Sequence, residues 1–281
     1  MLTLGHISLD LPAVQAALSG YSDAPMRRVA REHGAPFCFN EVLLDRTVLT
    51  KGKGRRRALC VPADDHPLGG QLMGAVPETF GEAAHDMVEA GYDLVDINFG
   101  CPVNKALGRC RGGFHLGQPP VALEIVRRVL DACAGRVPVT VKMRRGIDSS
   151  VASERRFFEI LDGAFALGVA AVTVHGRTVQ QKYVGSSDWG FLARAKRHLG
   201  SRTMLGSGDL FGPVPGLARL EQTDTCTDDT DGQGYKRYRD TTSQSLVSSC
   251  QDLELIRHAG RTGGDQLAFE IVLDVPAQLV G

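Results

Sequence analysis

The sequence predicts an α/β fold, a (β/α)8 barrel in which seven strands are recognisable and the eighth is missing or atypical. Short apolar runs alternate with helix-period segments from Pro12 to about Leu220. That alternation is the signature of parallel strands joined by crossover helices. The strand candidates number seven, which favours a barrel over a small doubly wound sheet. The 281 residues suffice, since such barrels need ~250. The 33 glycines suit a fold with many tight strand–helix turns.

The first strand candidate is Ala13–Leu18, followed by a helix over Asp23–His33 with Asp23 as its N-cap. Pro36–Asn40 and Gly69–Met73 are the second and third strands. The helix Pro77–Ala90 carries Glu78 in its first turn and stops at Gly91. Leu94–Asn98 is the fourth strand, and its helix, Pro120–Ala134, stops at Gly135. Val137–Met143 is the fifth strand, followed by the helix Ser153–Leu167, which opens Ser-Glu and ends at Gly168. Ala170–His175 and Thr203–Gly206 complete the seven. The pattern breaks at Glu221. Between Glu221 and Asp252, Thr, Asp, Ser and Gln make up 20 of 32 residues. Such a segment buries too little apolar surface to offset its ordering entropy. We therefore expect a barrel domain over residues 1–220 and a polar, poorly ordered tail over 221–281. Within the tail, Leu267–Leu273 is the one apolar run able to form a strand.

Composition excludes several classes. Apolar residues reach 43 %, too many for a wholly disordered chain. Lys plus Arg and Asp plus Glu both number 32, so the chain is not a globally basic nucleic-acid binder. Any RNA contact must come from local patches. The run Lys51-Gly52-Lys53-Gly54-Arg55-Arg56-Arg57 is such a patch, either a solvated loop or a phosphate contact. Met1–Pro12 has no basic n-region, so a signal peptide is not expected there. The uncharged run Gly163–Val174 falls short of the ~18 residues that span a bilayer, so no membrane span is expected. The seven cysteines are irregularly spaced, without CxxC, which argues against disulfides or a zinc site and for a reducing cytoplasm.

Polar residues collect at the strand ends, which a barrel brings to one mouth. Cys101, in Asn98-Phe99-Gly100-Cys101-Pro102, lies just past the fourth strand. It reads either as a reactive thiol or as a small buried one. Gln71 sits in the third strand, Lys142 ends the fifth and His175 ends the sixth, opening His175-Gly176-Arg177-Thr178. Gly206-Ser207-Gly208-Asp209 ends the seventh. Each has a structural reading when taken alone. Together, a Lys, a His, a Gln and a glycine turn suit a phosphorylated, aromatic cofactor.

These motifs resemble the dihydrouridine synthase family of flavin-dependent tRNA-modifying enzymes. Ala16 to Asp23 with Met26-Arg27 is similar to the family's opening strand and turn, and Asn40-Glu41 follows its second strand. Gly70 to Gly74 is similar to its third. Asp96 to Pro102 with Lys105 is its most telling motif. Val139 to Gly146, Val174 to Thr178 with Gln181, Tyr183, Gly185 and Asp188-Trp189, and Gly206 to Phe211 match the later strands. The resemblance covers about residues 10–220 and implies a TIM-type barrel. It implies FMN at the mouth, held by Ala17, Gln71, Lys142, His175, Gly206, Ser207 and Gly208. NADPH or NADH would be its reductant. Cys101 would be the general acid, for which a thiol protonated at cytoplasmic pH is suited. Asn98, Lys105, Arg144 and Arg177 would face the substrate, a tRNA uridine flipped from its stack. The expected protein is a cytoplasmic monomer without metal.

The sequence departs from the family at three places. Ala17 stands where the family has Pro, which loosens the turn beneath the flavin. Phe114 and His115 replace small residues in the loop after Cys101. The family's eighth strand, Gly-Arg-Gly turn and helical C-terminal domain have no counterpart after Leu220, as though the reading frame had changed or the end recombined. Two other functions fit the fold: an inactive, truncated paralogue or non-catalytic RNA-binding protein, and an FMN-barrel oxidoreductase acting on a free pyrimidine or an enone.

Overall fold

The apolar runs become strands and the amphipathic stretches wrap around them, as a sheet buried on both faces requires. The computed structural model describes residues 2–11, 13–210 and 269–273. A hairpin opens the chain: β1 (Leu2–Leu4) pairs antiparallel with β2 (Ile7–Leu9). Then come β3 (Ala13–Gln15), α1 (Ala24–Glu32), β4 (Cys38–Leu44), α2 (Asp45–Leu49) and α3 (Lys53–Ala58). They are followed by β5 (Leu68–Met73), α4 (Pro77–Glu89), β6 (Leu94–Phe99), α5 (Asn104–Leu107) and a 3-10 helix (Gly112–Gly117). Next are α6 (Pro119–Cys133), β7 (Val139–Arg144), α7 (Val151–Leu167), β8 (Ala171–His175), α8 (Trp189–Leu199) and β9 (Met204–Ser207). The last described element is β10 (Phe269–Leu273).

Strands β3 to β9 run parallel in chain order, and β10 closes the barrel between β9 and β3. β10 is antiparallel to both neighbours, pairing Glu270 with Ser207 and Phe269 with Gln15. The eighth strand is therefore atypical in direction. The boundary expected at residue 220 falls outside the described residues, while β10 comes from the expected tail. The rest of the expected tail lies outside the described residues.

Local signals explain the helix ends. Asp23 accepts a hydrogen bond from the Met26 amide at 3.2 Å, and Ser150 accepts one from Ser153 at 3.2 Å. Gly168, at φ +110°, ends α7 in the left-handed conformation that glycine adopts freely. The Lys51–Arg57 run is helical over α3. Arg55 reaches Asp86 at 2.6 Å and Arg57 reaches Glu41 at 2.8 Å, while Lys51, Lys53 and Arg56 stay exposed.

Two cores result. One lies between sheet and helices, where Val95, Ile97, Val141 and Val174 meet Phe80, Ile125, Phe157 and Phe191. The other fills the barrel's lower interior with Val14, Phe37, Phe39, Leu94, Ala171 and Leu205. Leu4 and Leu9 join it, so the N-terminal hairpin stoppers the barrel. Gly5 lies against Pro138 and Ala170, at the N-terminal ends of β7 and β8, which places the stopper opposite the mouth. Among the described residues, no helix is long and apolar enough to cross a membrane.

Gly69 makes room for this second core. A Cβ there would fall 2.5 Å from the Phe39 ring and 2.9 Å from Phe37. Gly69→Ala is expected to destabilise the fold by about 1–3 kcal/mol through overpacking. Urea denaturation checks this, and unchanged stability would show that the two rings are free to move aside.

Candidate active site at the barrel mouth

Parallel strands bring their C-terminal ends to one side of the barrel. Alternation then sends Asp96 and Asn98, Thr140, Lys142 and Arg144, Thr173 and His175, and Ser207 inward. Their neighbours Val95, Ile97, Val141, Met143, Val172 and Val174 face the helices. The inward groups open into a cleft of about 1630 Å³, lined among others by Ala17, Gln71, Asn98, Cys101, Lys142, His175, Ser207 and Gly208.

In the lowest polar layer the sequence assigned a role to Gln71 but none to Asp96 or Thr140. Asp96 is 2 % exposed and accepts from Gln71 Nε2 at 2.7 Å and from Thr140 Oγ1 at 2.6 Å. Gln71 Oε1 in turn accepts from Asn98 Nδ2 at 2.7 Å. Asn98 Oδ1 accepts from the backbone amides of Gly100 and Cys101, both at 3.0 Å. Asn98, expected to face substrate, is thus committed to Gln71 and to the Cys101 loop. The available signal was the polar alternation of Asp96 and Asn98 within the apolar run of β6.

Cys101 is half-buried and borders the cleft. The 3-10 helix backs it closely. Gly112 has φ +58°, and a Cβ there would lie 2.7 Å from that of Cys101. Gly113 donates its amide to the Cys101 carbonyl at 3.0 Å. His115, bulky where small residues were expected, is buried against Phe99 with ring centroids 5.2 Å apart. Its Nε2 meets the Gly74 carbonyl at 3.1 Å. The larger side chain thereby pins this loop to the end of β5.

Lys142 Nζ donates to Ser207 Oγ at 3.3 Å. His175 Nε2 lies 3.3 Å from an Arg177 guanidinium nitrogen, which makes the imidazole the acceptor. Burial, reinforced by Lys142, Arg144 and Arg177, pushes His175 down to about 2. Gly208 has φ +105°, and a Cβ there would fall 2.8 Å from Ser187 Oγ and 2.9 Å from His175 Nε2. Only glycine fits that cradle. An ammonium, a neutral imidazole, an amide and an open glycine turn fit an acceptor-rich ring bearing a phosphate.

Arg144 and Arg177 sit in the wall with their guanidinia engaged by protein. Arg144 donates to the carbonyls of Gly100 at 3.0 Å, Thr178 at 2.9 Å and Lys182 at 2.6 Å. Burial lowers its pKa to about 10. Arg177 donates to the Gly185 carbonyl at 2.6 Å and pairs with Asp209 at 2.5 Å. Both fasten loops that rim the mouth. Lys105 stands exposed on α5 at the same rim. Ala17 does not leave its turn loose. Ser22 Oγ accepts from the Leu18 amide at 2.6 Å, and Glu41 accepts from the Gly20 amide at 2.6 Å.

A family model described as dihydrouridine synthase (Dus) matches residues 14–230. The chain is 33 % identical over 222 residues to "Probable tRNA-dihydrouridine synthase 1" of Synechocystis sp., covering 79 % of this chain and 61 % of that protein. It is 32 % identical over 223 residues to "Probable tRNA-dihydrouridine synthase" of Rhodobacter capsulatus, covering 79 % and 67 %. It is 30 % identical over 223 residues to "tRNA-dihydrouridine synthase B" of Pseudomonas aeruginosa, covering 79 % and 65 %. The match thus spans 61–67 % of these relatives' length. Among solved structures, histamine dehydrogenase from Rhizobium sp. 4-9 superposes with a TM-score of 0.58 at 14 % identity, covering 79 % of this chain and 43 % of that one. Morphinone reductase in complex with tetrahydroNAD gives 0.53 at 13 %, covering 79 % and 83 %. These two share the fold.

The depressed pKa of His175 has a consequence for stability. From pH 6.5 down to about 2, the unfolded chain binds a proton here that the folded chain refuses. Stability therefore rises with pH across that window and falls on acidification. Burial lowers His115 too, in the same direction. His175→Gln is expected to reduce the slope of unfolding free energy against pH by up to about 1.4 kcal/mol per unit between about pH 4 and 6. Urea melts over that range measure it, and an unchanged slope would mean that the folded protein protonates His175.

Proposed function

The chain belongs to the dihydrouridine synthase family, and on that premise we propose that it reduces uridine in tRNA to 5,6-dihydrouridine, with FMN in the mouth and NADPH or NADH as reductant. The observation that carries the reading is the placement of Cys101. A half-buried thiol borders the same cleft as Gln71, Lys142, His175, Ser207 and Gly208, the donor set that fits a flavin.

FMN, when bound and reduced, supplies the hydride for one carbon of the uracil 5,6-double bond. The Cys101 thiol gives its proton to the other carbon, leaving a thiolate that solvent reprotonates. Gln71, held by Asp96, keeps a second amide N–H for the ring, and Lys142 and Ser207 offer donors beside it. Neutral His175 adds a partner without adding charge. Gly208 lets its backbone approach a phosphate closely, whereas Gly206, between inward-facing Leu205 and Ser207, is turned away from the cleft.

The rim suits RNA. Exposed Arg57 and Lys105 line the mouth with the exposed rings of Tyr21 and Tyr183, and Lys51, Lys53 and Arg56 are exposed on the segment that carries Arg57. Cations track phosphates and aromatic faces stack on unpaired bases. Arg144 and Arg177 shape the loops that a flipped uridine would pass.

The purified protein is expected to carry, or to take up, one FMN with its visible absorption. A colourless protein that FMN cannot reconstitute refutes the reading. Cys101→Ala should keep the flavin spectrum and lower dihydrouridine formation in tRNA by roughly 10²–10⁴-fold, and undiminished formation excludes the thiol as proton donor. Replacing Lys53 and Arg56 together by Ala should weaken tRNA binding and reduce the salt slope by about 1–2. Filter binding at several salt concentrations measures both.

A further inference from the structure

One guanidinium in the wall of the mouth has no acceptor among the described residues. Arg111 is 7 % exposed and borders the cleft. Its Nε is shut off from solvent unpaired, and its side chain makes no hydrogen bond or ion pair with any described residue. The other three buried arginines that line the cleft are engaged. Arg27 pairs with Asp65 at 2.6 Å, Arg144 donates to three carbonyls and Arg177 pairs with Asp209. Holding a guanidinium out of water with no acceptor is costly, and an arriving anion removes that cost.

The backbone keeps Arg111 inside. Cys110 at φ +55° and Gly112 at φ +58° are both left-handed, and Arg111 between them is extended at φ −118°. The Arg111 amide donates to the Ala106 carbonyl at 3.0 Å. These reversals bury Arg111 while Arg109 and Cys110 stay exposed. A left-handed cysteine is unfavourable, so the arrangement runs against local preference.

A guanidinium fork takes phosphate or carboxylate through two parallel bonds. No Asp or Glu occurs between Asp96 and Glu124, so the loop brings no carboxylate of its own. It brings further cations instead. Lys105 and Arg109 are exposed and border the same cleft, so positive charge runs from the surface inward along one loop. The donor set that fits a flavin comes from β5 and from β7 to β9. Arg111 belongs instead to the loop of Cys101, and a Cβ on its neighbour Gly112 would lie 2.7 Å from that of Cys101. We propose that Arg111 is a substrate-binding residue: it takes a phosphodiester of the RNA strand, with Lys105 and Arg109 leading in, and so seats the uridine beside Cys101. This rests on RNA being the substrate, as proposed above.

Stability and binding should respond differently. In the full-length protein, Arg111→Met replaces the guanidinium by an apolar chain. The urea midpoint should stay unchanged or rise, because no protein bond is lost. Affinity for an unmodified tRNA transcript, measured by filter binding, should fall roughly 10–100-fold, the scale of one charge-assisted pair, and the salt slope should fall by about 1. Arg111→Lys keeps the charge without the fork. It should keep the wild-type slope and recover only part of the affinity.

A lowered urea midpoint in Arg111→Met, or failure to fold, shows that the guanidinium serves the protein and overturns the proposal. So does wild-type affinity for the transcript at an unchanged slope. A weakened hold on FMN, or a higher NADPH concentration needed to bleach the bound flavin, assigns Arg111 to a cofactor phosphate and also overturns it. If the wild type binds the transcript and forms no dihydrouridine in it, the catalytic reading falls and the binding comparison still decides the role of Arg111.

Discussion

Asp96 sits where the barrel changes from dry to wet. Below it Leu94, Ala171, Leu205, Phe37 and Phe39 fill the interior, with Leu4 and Leu9 as the stopper. Above it the inward residues of β6 to β9 are Asn98, Lys142, Arg144, His175 and Ser207. A carboxylate at such a boundary costs several kcal/mol unless hydrogen bonds replace its water. Thr140 and Gln71 supply two, one from each neighbouring strand. Gln71 pairs with Asp96, and Asp96 with Thr140, in the register of the sheet itself. Slipping β6 by one residue would turn Asp96 and Asn98 into the hydrocarbon layer beneath the helices. Register and polar layer therefore enforce one another, and the loop carrying Cys101 inherits its position from both.

The electrostatics of the mouth follow from where the cations end. Arg144 and Arg177 spend their hydrogen bonds on carbonyls and on Asp209, so they act first as fasteners of the loops. Their charge remains in the wall and is felt at His175, which together with burial stays neutral. A neutral imidazole and the Lys142 ammonium on the same wall make a site that both accepts and donates. The chain's zero formal charge conceals this segregation. Exposed Arg57 of α3 and Lys105 of α5 sit at the rim, while many surface carboxylates are tied up elsewhere, as Glu124 is with Arg127 and Arg128 on α6.

The seven parallel strands were legible because each is a short, largely apolar run between turn residues. Their ends were less so. β4 runs on to Leu44 because Val42–Leu44 pair with β5 beyond a register shift after Phe39, which no local signal reports. The three-residue strands of the N-terminal hairpin and the glycine-interrupted α3 acquire their structure from packing. Ala58 of α3, for example, is held by Tyr92 through its carbonyl at 2.7 Å. At the site, Gln71, Cys101, Lys142, His175 and Ser207 were readable as strand-end residues. Asp96 was not, since its partners lie 25 and 44 residues away along the chain. A polar residue inside a strand acquires a role only when the neighbouring strands are in place.

Closure of the ring adds a constraint of its own. Seven parallel strands alone would leave β3 and β9 with unpaired edges. β10 satisfies both, and its reversed direction has a geometric consequence. A parallel eighth strand would end at the mouth and deliver a loop there. β10 begins on the mouth side, with Phe269 beside Gln15, and ends beside Met204 at the far end. At this point of the ring the described residues beside β10 at the mouth are the Ser207–Gly208 turn on one side and, on the other, the Ala17 turn fastened by Ser22 and Glu41. The close approach that Gly208 allows and the rigidity that Ser22 and Glu41 confer thus lie on either side of the strand that closes the ring.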